Sequence, residues 1–73
     1  ETSKVQIGSE VLILLDGKEE KYHIVASTEA DILKNKMSYQ SPLGQKLMGQ
    51  EIGTEFNFKG GEKQIKVKIL KIN

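Results

Sequence analysis

Two glycine-centred turns, each set between strand-like runs, limit what this chain can fold into. The first is Asp16-Gly17. Both of its positions tolerate positive φ, as a tight hairpin requires. Before it, residues 11–15 form an unbroken aliphatic run. The run is short and turn-bounded, so it reads as a strand rather than a helix. After it, residues 20–27 read as the returning strand. Tyr22, Ile24 and Ala26 would share one face, with His23 and Val25 on the other. The second turn is Gly60-Gly61, between expected strands at 55–59 and 63–70. There Ile65, Val67 and Ile69 alternate with Lys66 and Lys68, the pattern of a half-buried antiparallel strand. Lysines on that strand would discourage pairing with other chains if it lay at a sheet edge.

The segment between the hairpins supplies the remaining elements. Thr28-Glu29-Ala30-Asp31 reads as one helical turn or a capped loop, with Thr28 as the cap. Asn35-Lys36 turns the chain into a strand at 36–40, where Met37 and Tyr39 alternate with polar residues. Ser41-Pro42 is a helix start. Serine caps a free amide, and proline at the first position loses no intrahelical bond. Leu43 and Leu47 stand four apart, on one face, and Gly49 supplies a left-handed stop. A helix of about two turns does not hold by itself. Leu43 and Leu47, with Met48, must therefore rest on a sheet. Gly53 marks the next turn. The expected fold is α+β: a single domain over 1–73, with a mainly antiparallel sheet of about five strands packed on one short helix.

Composition narrows the functions. The chain has no cysteine, so neither disulfides nor a thiolate metal site support it. That fits a cytoplasmic protein. The core must come from aliphatic residues, because only Tyr22, Tyr39, Phe56 and Phe58 are aromatic. The formal net charge is +1, and all 11 basic residues are lysine. Arginine makes the forked contacts preferred for phosphates and base edges. Without it, and near neutrality, direct specific nucleic-acid binding is not expected. No apolar run reaches membrane-spanning length. The first four residues lack the apolar core of a signal peptide. They also lack an initiator methionine, so the chain is expected to be a fragment or processed product of a longer protein.

Catalytic groups are sparse. His23 is the only histidine, and a lone histidine in a strand more often packs than catalyses, since a base needs an oriented partner. Glu29 and Asp31 form a carboxylate pair that could hold Mg²⁺. They also stand at a helix start, where the helix dipole alone favours acids, so a structural role is expected. The glycines lack the strand-to-helix loop and lysine-serine ending of a phosphate-binding loop. No catalytic residue, metal ligand or cofactor is expected.

From Ile24 onward the sequence forms an ordered series. Ile24-Val25 is followed by Thr28-Glu29-Ala30-Asp31. Next comes Lys36-Met37-Ser38-Tyr39-Gln40-Ser41-Pro42-Leu43-Gly44, and then Leu47-Met48-Gly49-Gln50-Glu51-Ile52-Gly53-Thr54-Glu55. In order and spacing this resembles the C-terminal domain of the GreA/GreB transcript-cleavage factors. That family reads I-V-G, then D-E-A-D, then I-S-hydrophobic-x-S-P-L-G/A, a leucine-rich turn, and G-K-x-V-G-D-E. The resemblance covers nearly the whole chain. Ala26-Ser27 departs from the family's glycine-proline, and Gln40 stands where relatives carry an acidic or amide residue.

The resemblance implies an FKBP-like fold and a docking role. In that family the globular domain grips the coiled-coil tip of the largest RNA polymerase subunit, at the mouth of the secondary channel. A separate N-terminal coiled coil enters the channel and helps the polymerase cleave backtracked RNA. Gln40, Ser41 and Pro42 match the docking loop. Two alternatives stand beside this reading. One is a Rnk-like or inhibitory Gre homologue that binds polymerase without stimulating cleavage. The other is a peptidyl-prolyl isomerase, which the fold alone suggests, although the chain has no tryptophan to floor a proline pocket.

Overall fold

Both hairpins form in the computed structural model, which describes residues 3–73. Asp16 and Gly17 adopt φ of 52° and 84°, the mirror-image turn that matches strand twist. Strand β1 (Glu10–Leu15) passes through it into β2 (Lys18–Val25). The turn is so tight that pairing resumes at once, with Leu15 opposite Lys18. Strand β2 therefore starts and ends two residues earlier than the sequence pattern indicates. Ala26 leaves the sheet, and a 3₁₀ turn follows at Ser27–Glu29. A second 3₁₀ turn, Ile32–Lys34, leads into the short strand β3 (Lys36–Ser38). Helix α1 spans Pro42–Leu47.

The second hairpin joins β4 (Glu55–Gly60) to β5 (Lys63–Ile72). Gly60 is paired with Lys63, so the turn residues are Gly61-Glu62 rather than Gly60-Gly61. Gly61 takes φ of 68°, while Glu62 stays out of the left-handed region. Glycine is needed only at the first turn position, as in a type II′ turn.

The five strands form one sheet in the order β3-β2-β1-β5-β4. All pairs are antiparallel except β2 with β3, which run parallel from His23↔Lys36 to Val25↔Ser38. The lysine-bearing strand β5 thus lies inside the sheet, and β3 and β4 are the edges. Along β5 the pairing with β1 shifts by one residue between Leu12 and Ile13. Ile13 faces Ile69 while Leu12 faces Lys71, so Leu70 is the extra residue of a bulge. The bulge resets the alternation. Ile69 and Ile72 both become buried, and Lys71 stays exposed. Without it, Lys71 would point into the core.

The core is aliphatic, as the composition requires. Val11, Ile13, Ile24, Leu47, Val67 and Ile69 are fully buried, with Val5, Met37 and Ile72 beside them. Tyr22, Leu43, Phe56 and Phe58 pack against this cluster while half-buried. Val5 is held through its main chain, donating to the Gln50 carbonyl at 2.9 Å and accepting from Gly49 N–H at 2.8 Å. The N-terminal segment is thereby tied to the loop after α1. Gly49, at φ 80°, makes the left-handed stop that ends the helix.

Charges decorate the outside. Lys66 reaches Glu55 at 3.1 Å across β4 and β5. That hydrogen bond, with the lysine's charge, holds the Glu55 carboxyl below its ordinary range. A lowered folded-state value means the pair stabilises above the ordinary carboxylate range and stops doing so as pH falls through the folded-state value. Glu55 is open to solvent, so the effect is small. Glu55→Gln should lower the melting temperature slightly at pH 7 and leave it unchanged at pH 2. An equal shift at both values would show that charge is not the cause.

Candidate functional site

The segment joining β3 to α1 is fixed by short-range hydrogen bonds that its sequence supplies. Ser41 is the helix cap. Its Oγ accepts from Gly44 N–H at 3.1 Å and donates to the Ser38 carbonyl at 2.7 Å. Its own N–H donates to that same carbonyl at 3.1 Å. Pro42 opens the helix, as the Ser-Pro pair indicates. Gly44 is buried against β3, and a Cβ there would collide with the Ser38 carbonyl oxygen. The helix can approach the strand's backbone only because this residue has no side chain.

Gln40 is held from the other side. Ser27 donates to Gln40 Oε1 at 2.7 Å. Its only proton is then used, so Ser38 donates to Ser27 Oγ across the 2.8 Å between the hydroxyls. Gln40 N–H donates to Ser38 Oγ at 3.0 Å, which closes the ring. Gln45 Nε2 adds a bond to the Gln40 carbonyl at 3.1 Å. Ser27 replaces the proline of the family pattern, and it is this hydroxyl that orients Gln40. With Oε1 engaged, the outward group of Gln40 is its amide donor. Gln40 and Pro42 are exposed, and Ser41 is half-buried. The structure therefore brings together the three residues expected from sequence to dock, with Ser41 turned to its cap and the other two facing out.

An open groove of about 390 Å³ runs beside this loop. Ile32, Met37, Leu43 and Phe58 line it, with Ser41 and Pro42 among its walls. Next to it Ile32 is 67% and Leu33 93% exposed. Sequence reading missed the groove, because Phe58 comes from the strand at the far edge of the sheet. The one local signal was a pair of aliphatic residues, Ile32-Leu33, between the expected capped turn at 28–31 and the turn at Asn35-Lys36.

The other candidates resolve into structure. Asp31 caps the second 3₁₀ turn, its carboxylate accepting from Leu33 N–H at 3.1 Å. It also exchanges main-chain bonds with Lys36 at 2.9 Å. Thr28 does not cap, since the first 3₁₀ turn begins one residue earlier, at Ser27, and Ala26 holds the cap position without a side-chain bond. His23 is half-buried in β2. Among the described residues no three His, Cys, Asp or Glu side chains cluster as a metal site. No described helix is long and apolar enough to cross a membrane.

Comparison with known proteins places this geometry. The chain is 36% identical over 73 residues to the transcription elongation factor GreA of Thermodesulfovibrio yellowstonii, covering 97% of the chain and 46% of that protein. It is 38% identical over 74 residues to GreA of Thermosipho africanus, covering 99% and 47%. The chain thus spans less than half the length of these relatives. Among solved structures, GreA factor homolog 1 of Thermus thermophilus superposes with a TM-score of 0.83 at 22% identity, covering 100% of this chain and 50% of that one. The GreA/GreB factor from Nitrosomonas europaea gives 0.81 at 24%, covering 99% and 62%. These two share the fold. Residues 1–73 match the family described as transcription elongation factor, GreA/GreB, C-term, and the chain therefore belongs to the GreA/GreB family of transcription elongation factors, as its C-terminal domain.

Proposed function

We propose that this domain docks on RNA polymerase through Gln40, Ser41 and Pro42. Its seat is the coiled-coil tip of the largest subunit, at the mouth of the secondary channel. The observation that carries the reading is the closed Ser27–Ser38–Gln40 ring beside the Ser41 cap. An exposed loop already fixed by its own bonds loses little freedom on binding. Ser41 positions the loop. Pro42 offers a rigid apolar surface, and Gln40 offers an amide donor to an acceptor on the partner. An acidic residue there would need a donor instead.

The domain carries no catalysis and needs no cofactor in this reading. Cleavage of backtracked RNA, in a protein that stimulates it, belongs to an N-terminal coiled coil. The fold is taken as FKBP-like without isomerase activity. Among the described residues only one aromatic ring, that of Phe58, reaches the groove, and a proline-isomerisation assay should show no turnover above background. The site of action is the cytoplasm, where the polymerase works.

Immobilised chain should retain core RNA polymerase. The double variant Ser41→Ala with Pro42→Ala should retain about tenfold less, the loss of roughly one good contact. Gln40→Ala, on an exposed side chain, should weaken retention while leaving the thermal melt in place. No retention by the parent chain sinks the reading, and equal retention by the double variant sinks its residues.

A further inference from the structure

The free edge of β4 is self-complementary, and we propose that it pairs with the β4 edge of a second copy of this chain. Strand β4 is the last in the sheet. Among the described residues, its main chain makes no turn, loop or cap hydrogen bond. The direction of its groups follows from the register. The Thr54 carbonyl accepts from Ile69 N–H at 2.9 Å, and the Lys66 carbonyl turns the other way, to Asp16 N–H at 3.1 Å. Pairs therefore bond across the β4–β5 ladder at Phe56↔Val67 and Phe58↔Ile65. The main-chain groups of Glu55, Asn57 and Lys59 point outward, unpaired.

An antiparallel pairing about a two-fold axis at Asn57 uses all three. Glu55 then bonds opposite Lys59 of the second copy, Asn57 opposite itself, and Lys59 opposite Glu55. Both side-chain pairs join opposite charges. On the core face the same register sets Phe56 directly across from Phe58 of the second copy, in the closely spaced positions where aromatic pairs meet. Charge also selects the register. A slip of two residues leaves Lys59 opposite Asn57, and a parallel arrangement sets lysine near lysine. A lone lysine on an edge strand usually guards against pairing. Here the two-fold turns it into a contact, and a self-complementary patch is what a symmetric dimer needs.

Sedimentation of the 73-residue chain from micromolar to near-millimolar concentration tests this. A monomer–dimer equilibrium is expected, and a monomer throughout overturns the proposal. Glu55→Lys should weaken dimerisation at least tenfold or so, because two attractive pairs become repulsive. Because Glu55→Lys also loses the Lys66 pair within the chain, Lys59→Glu alone is the control and should weaken dimerisation as much. Combining the two exchanges the charges and should restore the dimer, which a merely structural role would not do. Asn57→Pro removes only an outward N–H, a substitution an edge strand tolerates. It should melt like the parent chain and sediment as a monomer. A dimer that survives Asn57→Pro lies on another surface, and the β4 assignment fails.

Discussion

Leu47→Ala should cost this domain about 2–5 kcal/mol, the range for emptying a closed core site. Helix α1 has six residues, too few to repay nucleation without tertiary support. Leu47 is its only fully buried aliphatic side chain, with no exposed surface. The main chain adds to the effect. The Leu47 carbonyl accepts from Gln50 N–H at 3.1 Å, and Gln50 and Gly49 in turn hold Val5. Loosening Leu47 therefore loosens the N-terminal segment too. A domain of this size has a total stability on the order of 5–10 kcal/mol, so the variant should approach half-unfolding in mild urea. The measurement is the urea midpoint, with Leu43→Ala for comparison. Leu43 is half-buried beside the open groove, so its truncation should cost distinctly less. Equal midpoints for the two variants would mean that Leu47 does not anchor the helix.

How far these features could be read from sequence depended on how local their causes were. The Asp16-Gly17 turn, the Ser41 cap, the Pro42 start and the Gly49 stop each rest on one or two neighbouring residues. All four are present. The α+β class followed from them with the alternation of Ile65, Val67 and Ile69. Features set by distant partners were not legible. The Leu70 bulge depends on how β5 meets β1, and the alternation alone does not predict it. Nothing near residue 38 indicates that β3 runs parallel to β2, because parallel pairing is set by the path of the chain between them. The hairpin at Gly61-Glu62 was misplaced by one residue, since adjacent glycines leave two registers open and cross-strand packing chooses. At the proposed docking loop, Gln40, Ser41 and Pro42 were matched to a family pattern. The Ser27 and Ser38 hydroxyls that fix them were not, because that ring closes over gaps of 11 and 13 residues.

Gly44→Val should separate the geometry of the proposed docking loop from the stability of the fold. Any Cβ at this position meets the Ser38 carbonyl, which is backbone and cannot swing aside. The helix must lift from β3 instead. Overpacking of this kind costs about 1–3 kcal/mol, less than emptying the Leu47 site. The lift falls on the bonds that shape the loop, because Ser41 Oγ and Ser41 N–H both end on that same carbonyl. Polymerase retention should therefore drop more for Gly44→Val than for Leu47→Ala, once both are measured at equal folded fraction in a stabilising osmolyte. Alanine, which the family pattern admits here, demands a smaller withdrawal and should fall between glycine and valine in both stability and retention. The order of the two effects is the test. If Leu47→Ala loses more retention at equal folded fraction, the close packing of Gly44 on Ser38 does not set the docking geometry. The loop would then owe its shape to the Ser27–Ser38–Gln40 ring alone.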